Sequence, residues 1–309
     1  MRMCCKNFGL QLARQESARI LPPGSGFADD QLPGSHPCRQ ADFTTPWFRH
    51  WMDQLGLQPV YHRKLWEYAY IAQTLHACGM LADGRRGVGF GCGVEPLPSL
   101  FAALGCQMLA TDAPETPEIR SAWAETGQYT TALESLFVPG IVDRERFLCL
   151  VETGRIDMNS IPDNMQGYDF CWSTCALEHL GTLERSIGFI LASLRTIRSG
   201  GVAVHTTEYD FSPGPTTIES GPTVFFKRHS IEALVPLVAE AGGEIIGLDH
   251  GLGDMPLDRH LDLPPHAPDL RDRYDAFMAQ WADAHPTPNL KASVDGLPVT
   301  CFGLAIRKR

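Results

Sequence analysis

The sequence predicts an α/β fold, in which strands alternate with helices. The first observation lies in residues 85–115: a short apolar run, a glycine turn, a helical pattern and a second apolar run that ends at Asp112. This order is typical of the first half of a nucleotide-binding βαβ unit. The second observation is an apolar run over 168–172, followed by a helical period over 183–194 that closes in two glycines before another apolar run. Such alternation predicts a sheet covered by helices.

The glycine turn at 91–93 favours a small-molecule ligand. Glycines let the backbone turn tightly and approach a ligand, and an acid such as Asp112 can accept both hydroxyls of a ribose. Dinucleotide enzymes usually carry a third glycine that lets pyrophosphate reach the helix N-terminus, but here that position is Pro96, with Glu95 beside it. This pair favours a ligand without phosphate, such as S-adenosylmethionine (SAM). The alternative is an ordinary α/β turn with no ligand.

Composition narrows the class of protein. The chain has 309 residues, 44% of them hydrophobic, a formal net charge of −10 and a pI near 5.5. The acidic balance argues against a broad nucleic-acid surface, and no apolar run is long enough to predict a membrane span. No secretory signal is evident, and the ten cysteines form no CxxC pair. We therefore expect a cytoplasmic protein with reduced, mostly buried cysteines.

The chain divides into three predicted parts. Residues 1–40 are rich in Pro, Gly and Asp, which predicts a flexible arm; a segment that orders over a bound substrate is the alternative. Residues 41–82 read as an N-terminal helical cap. Residues 83–309 form the nucleotide-binding domain, with insertions at about 209–228 and 250–295.

The later elements follow the same alternation. A third strand is predicted over 147–151, continuing toward Arg155, and it leads to Asp157 and Met158, which can bracket an adenine. Further elements are a fourth strand over 168–172, a fifth over 202–206, a helix over 231–241 with Ser230 as its N-cap, a helical piece at 271–284, and strands over 244–248 and 297–306.

Five segments together carry a family resemblance. They are VGFGCG with Glu95, ATD at 110–112, IDMNSIP at 156–162, YDFCWSTCALEHL at 168–180 and LRTIRSGGVAVHTTE at 194–208. The combination resembles the class I, Rossmann-like, SAM-dependent methyltransferases over roughly residues 85–250. One departure is Gly89, since the family often has an acid at that position. Glu95, or a residue of the N-terminal helices, would have to replace that acid.

The resemblance implies a fold and a cofactor. The fold is a three-layer αβα sandwich with a seven-stranded, mostly parallel sheet and an antiparallel last strand, plus the N-terminal helical extension. The cofactor is SAM, with the glycine turn under its methionine part, Asp112 at the ribose, Asp157 and Met158 at the adenine, and Ser173 near the sulfonium. The expected contacts are Gly89, Gly91, Cys92, Gly93, Glu95, Asp112, Asp157, Met158 and Ser173.

Methyl transfer from a sulfonium requires alignment and, for a hydroxyl or amine acceptor, removal of a proton. The candidate bases are His179, His205 and Glu208, with Tyr209 able to orient a substrate. Each has a structural alternative: His179 could fix a helix start, His205 could be a buried strand histidine, and Glu208 could lie on the surface.

The chemical class of the methyl acceptor is inferred only from the absence of a basic face on the chain. A small molecule is expected, namely a sugar, a polysaccharide precursor or a secondary metabolite, with protein or RNA as the alternative. We expect no metal, because the histidines and aspartates of the 250–295 insertion match no ligand spacing. A nicotinamide oxidoreductase, a non-catalytic SAM-fold regulatory subunit and a homo-oligomer all remain open.

Overall fold

The computed structural model describes residues 2–114, 133–264 and 288–309. Within these ranges the chain forms one nine-stranded sheet with helices on both faces. The strands are β1 (His36–Pro37), β2 (Arg86–Phe90), β3 (Gln107–Asp112), β4 (Val151–Arg155), β5 (Tyr168–Thr174), β6 (Ile197–Asp210), β7 (Gly243–Ile245), β8 (Ala292–Val294) and β9 (Leu297–Lys308). The helices are α1 (Arg2–Glu16), α2 (Pro46–Leu55), α3 (Arg63–Ala77), α4 (Leu97–Ala103), α5 (Arg144–Leu150), α6 (Leu183–Thr196) and α7 (Arg228–Glu240).

The strand order confirms the fold that the sequence predicts. The sheet runs β1-β9-β6-β5-β2-β3-β4, and β7 and β8 also pair with β9. Strands β2 to β6 pair in parallel, whereas β9 runs antiparallel to β6. The two short strands β1 and β8 are additions to the predicted seven. Because the chain order reverses at β2, where β3 lies on one side and β5 on the other, a crevice opens at the carboxyl ends of these strands.

Alternating side chains of the sheet build two cores. Phe170 and Trp172 of β5 pack with α2, α3 and α4 on one face. Cys171 of β5 and Val88 of β2 pack with α6 and α7 on the other face. The period of two along each strand therefore produces the three-layer arrangement, with apolar side chains on both sides of a buried sheet.

The third strand, predicted over 147–151 and continuing toward Arg155, exists but starts later: 147–150 are helical and the strand covers Val151–Arg155. Asp143 accepts a hydrogen bond from the Arg146 backbone N–H and caps helix α5, and the strand begins only at Val151. A short apolar run does not distinguish a helical turn from a strand, and here the N-cap decides. Ser230 also differs from its prediction: its hydroxyl accepts from the Lys227 backbone N–H three residues earlier, so Lys227 is the N-cap of α7.

The predicted flexible arm is docked where the structure describes it. Strand β1 pairs with β9, with His36 opposite Gly303. The Tyr70 hydroxyl of α3 donates to the Gly34 carbonyl at 2.8 Å, and the Ser35 backbone N–H donates to the Ile246 carbonyl at 2.8 Å. A segment rich in Pro and Gly thus becomes ordered because its backbone groups find partners on the sheet edge and on α3.

The helical piece predicted at 271–284 lies outside the described residues. Of the helices that the structure describes, none has the length and apolar character needed to cross a bilayer.

Asp169 fixes the start of β5 beside β2 and β6. Its carboxylate accepts hydrogen bonds from the Arg86 backbone N–H at 2.8 Å, from Arg198 Nε at 2.7 Å and from Arg85 Nη1 at 2.9 Å. Burial opposes ionisation of this carboxyl, but these donors outweigh it and hold the pKa of Asp169 below its ordinary value. The ionised side chain therefore joins three strands at one point.

We expect the Asp169→Asn substitution to lower the free energy of unfolding by about 1–3 kcal/mol, because it weakens hydrogen bonds to charged groups at a nearly buried position. Urea denaturation measures the effect. Glu240→Gln, at an exposed position of α7, is the matched control and should change stability little. Equal effects of the two substitutions would contradict the role given to Asp169.

Candidate functional site

A cavity of about 280 Å³ lies at the carboxyl ends of β2, β3 and β5. The loop after β4 and the first turns of α3 complete its walls. Its position is the crevice that the strand order creates. Of the residues expected to bind a cofactor, those that line the cavity are Gly91, Cys92, Gly93, Glu95, Asp112, Asp157 and Met158.

The glycine turn after β2 has the backbone that only glycine adopts readily. Gly91 has φ 63° and Gly93 has φ 53°, both in the left-handed region. A side chain at Gly91 would also place its Cβ 2.7 Å from the Cβ of Ala176, which lines the cavity. The Cys92 backbone N–H donates to the Thr111 carbonyl at 3.0 Å, which fixes the turn against the end of β3.

Gly89 does not line the cavity, and its position cannot hold an acid. A Cβ at Gly89 would overlap the Cys92 thiol and the indole of Trp172. A carboxylate lies at the end of the turn: Glu95 Oε1 accepts from Trp172 Nε1 at 2.5 Å, and Glu95 lines the cavity while nearly buried. Burial raises the pKa of Glu95 to about 7.

The two remaining acids lie after neighbouring strands. Asp112 ends β3, and its Oδ1 accepts from the Ala113 backbone N–H at 2.8 Å. Asp157 follows β4, and its Oδ1 accepts from the Asn159 backbone N–H at 2.8 Å, which turns the loop and presents Met158 to the cavity. Adjacent parallel strands therefore bring two acids and an apolar side chain to one rim.

Ser173 and His205 lie in the core and not at the cavity. His205 is fully buried, with Nδ1 2.8 Å from Ser173 Oγ and Nε2 3.0 Å from Ser193 Oγ. Burial lowers the pKa of His205 to about 3, so the ring is neutral. Its partners occupy both nitrogens, and this geometry fits the structural alternative for His205.

His179 is the candidate base that lines the cavity. Its Nδ1 lies 2.9 Å from the Pro222 carbonyl oxygen, which can only accept, so the proton of the neutral ring is assigned to Nδ1. Nε2 is then the basic nitrogen. Burial lowers the pKa of His179 below its ordinary value, which keeps the ring neutral at pH 7.

Glu208 is partly buried and does not line the cavity, and its Oε2 accepts from Arg63 Nη1 at 2.8 Å. Burial raises the pKa of Glu208 to about 7. The ion pair links β6 to the first turn of α3. Glu208 is therefore neither a surface residue nor a residue of the cavity lining.

The sequence analysis did not name Cys175 or Tyr68 as candidate site residues, whereas Lys64 and Glu67 lie in the N-terminal helices for which it allowed a contact with the cofactor or substrate. Cys175 follows β5 with φ 47°, a value that is rare for residues other than glycine, and it lines the cavity. Lys64 and Tyr68 of α3 line it as well, and buried Glu67 and Glu178 lie nearby.

Two groups of side chains have the spacing of metal ligands within the described ranges. One comprises Glu67, Cys175 and Cys301, and the other comprises Cys175, Glu178 and Glu208. Neither uses a residue of the 250–295 insertion, of which 265–287 lies outside the described residues. The free thiols of Cys175 and Cys301 are 3.5 Å apart.

Comparison with known proteins adds structural likenesses only. No family model matches the sequence, and no curated protein matches it. Among solved structures, the CcbJ methyltransferase of Streptomyces caelestis is 13% identical, with 75% of this chain and 92% of that chain covered and a TM-score of 0.40. The phosphoethanolamine N-methyltransferase 2 of Haemonchus contortus, in complex with SAM, is 12% identical (76% and 51% covered, TM-score 0.43). The cyclase SpnF is 21% identical (74% and 76% covered, TM-score 0.41).

Likenesses at this level carry no argument about cofactor, substrate or reaction. The fold assignment rests instead on the order and direction of the strands.

The crowding at Gly91 predicts a stability difference between two glycines. Gly91→Ala should destabilise the protein more than Gly79→Ala, since both have positive φ but only Gly91 has a neighbour that a Cβ would strike. The backbone cost alone is about 1 kcal/mol in each variant. Urea denaturation of both variants measures the difference, and equal losses would show that the turn can move away from Ala176.

Proposed function

We propose that the chain is a SAM-dependent methyltransferase that acts on a hydroxyl or amine of a small molecule. One observation carries the proposal: a single cavity at the reversal of strand order is lined by the glycine turn, by Glu95, and by acids that follow two successive strands. SAM presents an ammonium, a ribose and an adenine, and each has a matching group along this rim.

The residues fit that cofactor in position and charge. Glu95 is a nearly buried carboxylate that would hold the amino group of the methionine part. Asp112 would accept from the ribose hydroxyls, and Asp157 and Met158 would hold the adenine. When bound, SAM supplies a methyl group that is already activated by its positive sulfur. The protein must then exclude water, align the acceptor and remove its proton.

The same rim disfavours a nicotinamide dinucleotide. A pyrophosphate needs free backbone N–H groups at a helix N-terminus. Helix α4 begins after Pro96 and has Pro98 in its first turn, and proline has no N–H to donate. The carboxylate of Glu95 would also repel a phosphate. This observation favours SAM over a dinucleotide.

His179 is the base that the geometry favours for deprotonating the acceptor. It lines the cavity, and the hydrogen bond of its Nδ1 to the Pro222 carbonyl leaves Nε2 as the basic atom. His205 is held in the core by two serines, and Glu208 is held by Arg63. These two candidates are therefore better suited to shaping the site than to proton transfer.

A small acceptor fits a cavity of about 280 Å³ and the acidic chain better than a polymer does. Sugars, polysaccharide precursors and secondary metabolites are the classes we propose. A protein or RNA acceptor would need an extended contact surface. A non-catalytic SAM-binding subunit would bind the cofactor without transferring its methyl group to any acceptor.

Calorimetric titration tests the cofactor. We expect SAM to bind with a micromolar dissociation constant and NADH to bind far more weakly. Asp112→Ala should weaken SAM binding by roughly tenfold or more, because a charge-assisted hydrogen bond to the ribose is lost. Asp163→Ala, at an exposed position after β4, is the control. Binding of NADH in preference to SAM would refute the proposal.

The pH dependence of SAM binding tests Glu95 separately. Its carboxyl has a pKa of about 7, so it is mostly ionised at pH 8 and mostly protonated at pH 6. The ligand's ammonium needs the ionised form, so affinity should fall roughly tenfold from pH 8 to pH 6. In Glu95→Gln this part of the pH dependence should disappear. An unchanged pH profile in that variant would remove Glu95 from the cofactor site.

A further inference from the structure

Lys64 is a charged residue of the cavity wall that has no role in the proposed function so far. Among the described residues that line the cavity, it is the only lysine or arginine, and the lining also contains the acids Glu95, Asp112 and Asp157. His179, which lines the same cavity, is kept neutral at pH 7 because burial lowers its pKa. The N-terminal extension therefore brings a positive charge to a largely acidic cavity.

Helix α3 holds the ammonium of Lys64 in a fixed place. The Lys64 Nζ lies 3.2 Å from Glu67 Oε1 and 3.4 Å from Glu67 Oε2, one helical turn further on. Glu67 is 1% exposed and accepts from the Thr206 hydroxyl of β6 at 2.6 Å. Burial opposes ionisation of Glu67, but Lys64 and the hydrogen bonds hold the pKa of this carboxyl below its ordinary value. An ionised acid thus anchors the lysine to the sheet.

The methionine part of SAM carries its ammonium and its carboxylate on the same carbon. The protein groups that bind them must therefore lie near each other. Burial raises the pKa of Glu95 to about 7, and the charge of Lys64 opposes this rise, so the two side chains act on each other electrostatically. A ligand carboxylate beside Glu95 would be repelled unless a cation stood close to it. Lys64 supplies such a cation.

We propose that Lys64 binds the carboxylate of the methionine part of SAM, beside the ammonium that Glu95 would hold. The inference rests on the proposed function and deepens it, because it gives the N-terminal extension a part in recognising the cofactor. Lys64 and Glu95 together then select an amino-acid zwitterion.

The entry of α4 is a poor alternative for binding this carboxylate. Pro96 precedes the helix and Pro98 lies in its first turn, and neither has a backbone N–H to donate. The helix has only seven residues. The Lys64 ammonium, in contrast, has three N–H donors and can bond to Glu67 and to a ligand carboxylate at the same time.

An acid on the methyl acceptor is the competing partner for Lys64. The electrostatic interaction between Lys64 and Glu95 favours the cofactor, because the ammonium and the carboxylate of an amino acid are never far apart. Binding measured without any acceptor separates the two possibilities.

The test compares two ligands in the absence of an acceptor. One is S-adenosylhomocysteine, and the other is S-adenosyl-3-thiopropylamine, which has the same adenosine, thioether and ammonium but lacks the carboxylate. Calorimetric titration of the full chain measures both dissociation constants. We expect the wild-type protein to bind S-adenosylhomocysteine roughly tenfold or more tightly than the other ligand, because it alone can make a charge-assisted hydrogen bond through a carboxylate.

Substitutions of Lys64 assign this preference. Lys64→Met should weaken S-adenosylhomocysteine binding by roughly tenfold and change the affinity for S-adenosyl-3-thiopropylamine little. Lys64→Arg keeps the charge and should retain most of the preference. Arg144→Met, at an exposed position of α5, is the matched control and should behave as the wild type. General damage to the fold would weaken both ligands equally, so the ratio of the two affinities reports on the carboxylate alone.

The outcomes separate this inference from the proposed function. Failure of both ligands to bind would refute the proposed cofactor. If the wild-type protein bound S-adenosylhomocysteine no more tightly than S-adenosyl-3-thiopropylamine, the carboxylate contact would be refuted and the cofactor would stand, without any variant having to fold. A preference that Lys64→Met retained would exclude Lys64 as the carboxylate ligand. Equal weakening of both ligands in that variant would show that Lys64 has a structural role instead.

Discussion

The close packing of Trp172 over Gly89 is the constraint on which the site depends. No side chain fits at Gly89, because the indole and the Cys92 thiol occupy that space. The indole is fully buried and points its Nε1–H at Glu95, which it holds at the mouth of the turn. Trp172 on β5 thus leaves no room for a side chain at Gly89 of β2. Its indole N–H also holds the carboxylate of Glu95 just before α4. A substitution at any of these positions would disturb the others.

Burial gives this site its electrostatic character. Glu95 and Glu178 both have carboxyl pKa values raised to about 7, chiefly because burial disfavours the charged form. Lys64 lies in the same cavity wall and favours ionisation of both. A cationic ligand beside such an acid would favour its ionised form and so lower its pKa, because a nearby positive charge stabilises the carboxylate.

Local sequence patterns predicted most of the fold, since the βαβ unit and the helix before Gly200 depend on neighbouring residues. The third strand was predicted to begin too early, at 147, because apolar residues alone do not distinguish a short helix from a strand, and the cap at Asp143 decides. Contacts between residues that are distant in the sequence could not be predicted from these local patterns. The docking of β1 on β9, and the two serines that hold His205, join segments that only the folded chain brings together. The sequence predicted that the glycine turn and its acids lie close together, because the ends of neighbouring parallel strands meet at one edge of the sheet. It did not single out Glu178, the residue before His179.

The N-terminal extension contributes Lys64 and Tyr68 of α3 to the cavity wall. Glu67 of α3 accepts from the Thr206 hydroxyl of β6 at 2.6 Å and from the Cys301 thiol of β9 at 3.2 Å. These bonds fix α3 across the antiparallel pair at the edge of the parallel sheet. The same helix turn carries Lys64 into the cavity and directs Arg63 to Glu208. The wall that Lys64 and Tyr68 give the cavity therefore depends on the docking of α3 onto β6 and β9, and so on these few hydrogen bonds.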